Sequence, residues 1–126
     1  MYLKNLIGVM LIAFSGNTFA ATLLEKQKQG DDLTATELVA IFLAEIKDCE
    51  SKVPAFSAQA TPLLTQLRAY PRFKEVENSS EFRNPKLQAE AAEVVASQRR
   101  GGDINNQCKD TLGDLQEQVK LSQQDK

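Results

Sequence analysis

The chain has 126 residues, enough for one domain, and carries 15 Lys and Arg against 17 Asp and Glu, a formal charge of −2. It contains no His, no Trp, two Cys and two Met. Without His, Ser-His-Asp and Cys-His catalysis are closed to it, and a mildly acidic chain lacks the cation surplus that non-specific nucleic-acid binding needs.

Residues 1–20 read as a secretory signal peptide. Lys4 supplies the positive start, Leu6 to Phe14 form a short apolar run, and small and polar residues (SGNTFA) follow. Cleavage between Ala20 and Ala21 puts Ala20 and Thr18 in the two small-residue slots, whereas a cut one residue later would put Phe19 there. The apolar run is about half of what a bilayer crossing requires. The expectation is therefore cleavage, with no stable membrane insertion afterwards. A lipoprotein anchor would need a Cys after the apolar run, and none follows. Cleavage at Ala20–Ala21 leaves 106 residues with a charge of −3 and removes both Met, which stand at positions 1 and 10.

Residues 21–33 (ATLLEKQKQGDDL) are polar apart from Leu23, Leu24 and Leu33 and read as a flexible N-terminal arm. A helical domain is expected over 34–123. Thr34 and Glu37 have capping-box spacing, with Leu33 and Leu38 at the staple positions, so a helix starts here. Its apolar stripe is Leu38, Ile41, Phe42, Ile46 and Cys49, and it should end near Ser51, ahead of Val53-Pro54. Phe56, Ala60, Leu63, Leu64 and Leu67 give a second helix within 54–70, in which Pro62 either makes a kink or begins a fresh helix. Residues 71–84 are the least regular segment, with a short helical turn over 72–76 and a polar loop at 78–80. Asn84-Pro85 caps a third long helix over 85–99, and Gly101-Gly102 stops it. Asp103 caps the fourth, 103–123, striped by Ile104, Cys108, Leu112 (or Thr111), Leu115 and Val119. Residues 124–126 form a frayed tail.

No period-two alternation competes, so the fold class is all-α: a small four-helix up-down-up-down bundle, or an irregular helical array, closed by one disulfide. In such a topology the fourth helix starts beside the end of the first. That places Cys108 near Cys49, and the oxidising compartment implied by export lets the two thiols form a bridge.

The residue inventory points away from cofactors. Haem ligation by His or Met, the Glu-x-x-His di-iron motif and Cys-His zinc sites all need residues the exported chain lacks. Asp31-Asp32 is too small a cluster for calcium. Neither a metal nor a cofactor is expected. Acids that could form a pair for a cell-wall hydrolase are Glu45, Glu75, Glu81, Glu90 and Glu93, with no distinctive spacing; Glu90 and Glu93 read better as a solvated helix face. The most distinctive stretch is Leu67 to Lys74, where Arg68, Tyr70, Arg72, Phe73 and Lys74 alternate bases with aromatics, a composition favoured at protein interfaces. Three of the five aromatics beyond residue 20 fall between 70 and 82.

The expected function is that of a periplasmic or secreted, non-enzymatic protein that acts by protein–protein binding to an envelope partner. It would serve as an accessory subunit of an envelope or secretion machine, or as an immunity or inhibitor protein. Two alternatives stand beside this. In size and in its single long-range disulfide the chain resembles small acid-stress chaperones of the periplasm. That resemblance is one of layout, and it implies apolar surface exposed in acid as the carboxylates lose charge together. The other alternative is a carboxylate-based cell-wall hydrolase.

Overall fold

In a computed structural model that describes residues 22–124, every regular element among the described residues is a helix. The signal segment with its Ala20–Ala21 junction, and the last two residues of the tail, lie outside the described residues. The helices are α1 (Leu23–Gln29), α2 (Ala35–Lys52), α3 (Phe56–Arg68), α4 (Pro71–Glu77), α5 (Ser80–Arg83), α6 (Pro85–Arg99) and α7 (Ile104–Gln124).

The local signals act where the sequence puts them. At the start of α2 the Glu37 N–H donates to Thr34 Oγ1 (3.1 Å) and the Thr34 N–H donates to Glu37 Oε1 (2.9 Å), which closes the capping box. Asn84 Oδ1 accepts from the Lys86 N–H at the start of α6, and Asp103 Oδ1 accepts from the Asn105 N–H at the start of α7. Gly101, at φ 71°, turns the chain out of α6 in the left-handed region that a side chain would oppose. Pro62 lies inside α3, which runs through it as one helix.

Two segments differ from expectation. Residues 23–29 form a helix docked on the domain, where the sequence reads as a flexible arm. A second capping box explains its start: the Glu25 N–H donates to Thr22 Oγ1 and the Thr22 N–H donates to Glu25 Oε1. Leu23, only 1% exposed, anchors it. The polar loop at 78–80 narrows to a two-residue turn between α4 and α5, because Ser79 Oγ accepts from the Phe82 N–H and starts a new helical turn.

The buried apolar residues fall into two clusters that share α2. The larger holds Ile46, Cys49, Phe56, Leu64, Leu67, Phe73, Cys108, Leu115 and Val119, from α2, α3, α4 and α7. The smaller holds Leu23, Ala40, Ile41, Ala91 and Val94, from α1, α2 and α6, with Leu33, Phe82 and Leu87 packed against it. Leu38, the expected start of the α2 stripe, is 53% exposed, and Glu37 is buried in its place. The reason is α1. It packs against α6, joins Ala40 and Ile41 of α2 in the smaller cluster, and supplies Lys26 as partner to the Glu37 carboxylate, at 2.8 Å.

Cys49 and Cys108 form the disulfide, with their Cα atoms 5.7 Å apart. It joins the last turns of α2 to the early turns of α7, and at the other end of this pair Ala35 and Val39 share a groove with Gln118 and Leu121, so α2 and α7 run in opposite directions. On the other side of α2, Arg99 at the end of α6 reaches Asp48 near the end of α2 (3.0 Å), so these two helices run the same way.

Candidate functional site

The stretch 68–74 bridges the end of α3 and the start of α4, and the structure distributes its five singled-out residues over different surroundings. Arg68 is exposed and pairs with Glu77, with Nη2 3.1 Å from Oε2 and Nε 3.2 Å from both carboxylate oxygens. Phe73 is buried in the larger cluster, so its ring is core. Lys74 is exposed. Tyr70 and Arg72 do come together. Pro71 begins α4 with its ring at the first helical position, where its missing N–H costs nothing.

Tyr70, Arg72 and Ser122 are shared by two adjoining grooves, of about 510 Å³ and 450 Å³. The first runs along Gln66, Ala69, Pro71 and Gln123 between α3 and α7. The second crosses to α2, with Val39, Leu67 and Phe73 on its floor and Gln118 and Leu121 from α7. Among the described residues that line the two grooves, Arg72 carries a charge and the others are neutral. Leu121 is 46% exposed beside them. Gln123 Nε2 donates to Gln66 Oε1 (3.1 Å), which ties the end of α7 to α3 at the groove's edge.

The contribution of α7 was legible only in part. Its stripe continues from Leu115 and Val119 to Ser122, which is buried and donates to the Val119 carbonyl (2.7 Å). A small polar residue therefore occupies the inward position. Leu121 stands off the stripe, and an apolar side chain off the buried face of an amphipathic helix is the available sign of a surface role.

A third and larger groove, about 760 Å³, lies between α2 and α6, with Leu43, Ala92 and Val95 on its walls and Lys47, Glu50, Arg68 and Glu77 around it. Arg68 faces this groove, away from Tyr70 and Arg72.

The acids proposed for hydrolysis do not converge. Glu90 accepts the Leu23 N–H (3.0 Å), and Glu75, Glu81 and Glu93 are exposed at separate places. Glu45 is half-buried on α2, and burial pushes its carboxyl above the ordinary range; the Arg99 guanidinium opposes this and Asp114 adds to it. Its neighbour Asp48 behaves oppositely. Burial works against its charge, but hydrogen bonds from Arg99 and Lys52 outweigh it and hold the carboxyl low. Arg99 Nη2 also lies 3.4 Å from Cys49 Sγ and 3.5 Å from the Glu45 carbonyl oxygen, so a single cation ties α6 to both carboxylate-bearing turns and to the disulfide. Among the described residues no three His, Cys, Asp or Glu side chains gather to hold a metal ion, and no helix is long and apolar enough to cross a membrane. Comparisons with family models, curated proteins and solved structures find no match to this chain.

Proposed function

We propose that this chain is an exported, non-enzymatic binding protein that engages an envelope partner through the corner where α3, α4 and α7 meet. The scaffold is a set of four long helices, α2, α3, α6 and α7, alternating in direction as an up-down-up-down chain does, with the disulfide as its clamp. The observation that carries the reading is the pair of adjoining grooves meeting at Tyr70, Arg72 and Ser122. Their described residues offer aromatic and aliphatic walls, neutral amides at the edge and the Arg72 cation. This combination resembles the centre of a protein interface, where Tyr and Arg are over-represented. Export is supported by the disulfide, which persists in an oxidising compartment.

The test is capture of a partner from envelope extracts by the oxidised protein, with Arg72→Glu and Leu121→Arg as paired variants. Both positions are exposed, so the fold is expected to survive. A specific partner retained by the native chain and lost by both variants supports the reading. Capture unchanged by both variants, or no specific capture at all, rejects it. Phe73→Ala is unsuitable as a surface probe, because its ring belongs to the core.

A further inference from the structure

The turn between α6 and α7 puts a base where the fold puts no other. Among the described residues every Lys and Arg except Arg100 lies within a helix. Arg100 stands just past the end of α6, exposed, with an extended backbone at φ −62° and ψ 130°. Gly101 follows at φ 71°, and it, Gly102 and Asp103 are exposed as well. Arg99, one residue earlier, is helical, and its side chain is 11% exposed and held by Asp48. Lys52 and Arg83 also end their helices, but Asp48 pairs with Lys52 (3.0 Å) and Asn78 Oδ1 accepts from Arg83 (3.0 Å). No hydrogen bond or ion pair joins the Arg100 guanidinium to another described residue. A protease binds the residues around the bond it cuts as an extended strand, with a pocket for a side chain. A helical residue reaches that form only by breaking its turn and undocking its apolar face, so exposed turns are cut first.

We propose that the Arg100–Gly101 bond is an endoproteolytic site, read by a protease of trypsin-like specificity, and that the cut yields a two-chain protein held together by Cys49–Cys108. The reaction is hydrolysis. Water adds across the amide, so the Arg100 carbonyl carbon becomes a carboxylate and the Gly101 nitrogen becomes a new amino terminus. Cys49 precedes the cut and Cys108 follows it, so the bridge spans the break. Leu115 and Val119 of α7 stay in the larger cluster, which keeps that helix docked without the peptide link.

Little holds the turn closed. The Arg100 N–H donates to the Ser97 carbonyl and the Gly102 N–H to the Arg99 carbonyl, both at 3.3 Å, beyond the usual span of such bonds. Gln107 Nε2 reaches back to the Gln98 carbonyl (3.2 Å), while Gln107 Oε1 is buried with no partner among the described residues. Opening the turn brings that oxygen to water, so one of its closing contacts is offset. The contacts of Arg99 to Asp48 and Cys49 meanwhile hold the preceding turn of α6 in place, which favours a cut after Arg100 over one after Arg99. The site lies beside the disulfide, whereas the groove at Tyr70 and Ser122 meets Ala35 and Val39 at the other end of α2, so cutting and partner binding use separate surfaces.

Limited digestion of the full oxidised chain with trypsin tests this. The first product should remain one species without reductant, heavier by one water, and keep its helical circular dichroism. Reductant under denaturing conditions should split it into two pieces, one of which begins Gly101-Gly102-Asp103. Cleavage there should be about tenfold or more faster than at any other described Lys or Arg, because helical sites are cut only from rarer open states. Arg100→Gln, at an exposed position, should slow the first cut by a similar factor and leave the thermal midpoint unchanged. A first cut after Arg99, after Lys28 of the short α1 or after any other described base overturns the proposal. So does loss of the helical signal on cutting, or a native chain that resists trypsin while the reduced, urea-unfolded chain is digested. Sequencing the native chain's products decides this even if the variant fails to fold.

Discussion

Arg99→Met is the most informative single substitution, because Arg99 touches three different groups on α2. Its side chain is 11% exposed and lies 3.0 Å from Asp48 Oδ2. Methionine keeps most of the stem and removes the guanidinium. Breaking a fully buried ion pair costs about 3–5 kcal/mol. That full amount does not apply here, since Asp48 keeps Lys52 at 3.0 Å and remains 20% exposed. What is lost is one charge-assisted hydrogen bond to Asp48 and two weaker contacts, to the Glu45 carbonyl and to the Cys49 sulfur, for an expected destabilisation of about 1–2 kcal/mol. In a domain of this size each kcal/mol moves the midpoint by about 4–8 °C. Thermal unfolding of the oxidised protein at pH 7, followed by circular dichroism, measures it. A double-mutant cycle with Asp48→Asn isolates the pair, with an expected coupling of about 0.5–3 kcal/mol. Zero coupling, or a Tm indistinguishable from the native chain, would refute the assignment of Arg99 as the tie between α6 and α2. Arg99→Met should also widen the benefit of mild acid, because Glu45 loses the cation that restrains its pKa.

Reducing the disulfide, which spans 59 positions, should cost about 4 kcal/mol by chain entropy, seen as a lower urea midpoint in reductant. Leu115→Ala, at a fully buried site, should cost about 2–5 kcal/mol, whereas Leu38→Ala should stay within about 0.5 kcal/mol; equal effects would contradict the burial pattern. Stability should not vary in one direction with pH. Glu45, raised by burial, contributes stability that is lost as pH rises through its folded value, so mild acid should help. Asp48 and Glu37, held low by Arg99 and Lys26, contribute stability that is lost below about pH 4, so stronger acid should hurt. Urea midpoints measured across this range check both limbs, and Glu45→Gln should flatten the first. N-terminal sequencing of the exported protein should begin at Ala21; a chain that keeps residues 1–20 would refute the signal reading.

Most of the helix boundaries were legible because they depend on neighbours within one turn. The Thr34–Glu37 box, Asn84-Pro85 and Gly101 each act over four residues or fewer, and each stands where the spacing puts it. The disulfide was also legible, since two cysteines allow one intramolecular pairing. Leu38 and Glu37 were not. A periodicity count ranks Leu38 inward because it is apolar, but which face of α2 is covered depends on α1 and Lys26, about ten residues away in sequence. Phe73 shows the same limit at the candidate site. Its place in a run of bases and aromatics suggests a surface role, yet the turn at Pro71 points it into the core and leaves Tyr70 and Arg72 to line the grooves with Ser122, some fifty residues further along the chain.

The sequence by itself determined the all-helical class, the long helices, their caps and the covalent bridge. These follow from local hydrogen-bond chemistry and from a residue inventory with two cysteines and no histidine. Only the tertiary structure decided that the apolar residues divide into two clusters on either side of α2, that residues 23–29 dock as a helix, and that α7 completes the groove beside Tyr70. Each of these depends on which surfaces meet, and a side chain becomes core or surface only when another helix covers it or leaves it in water.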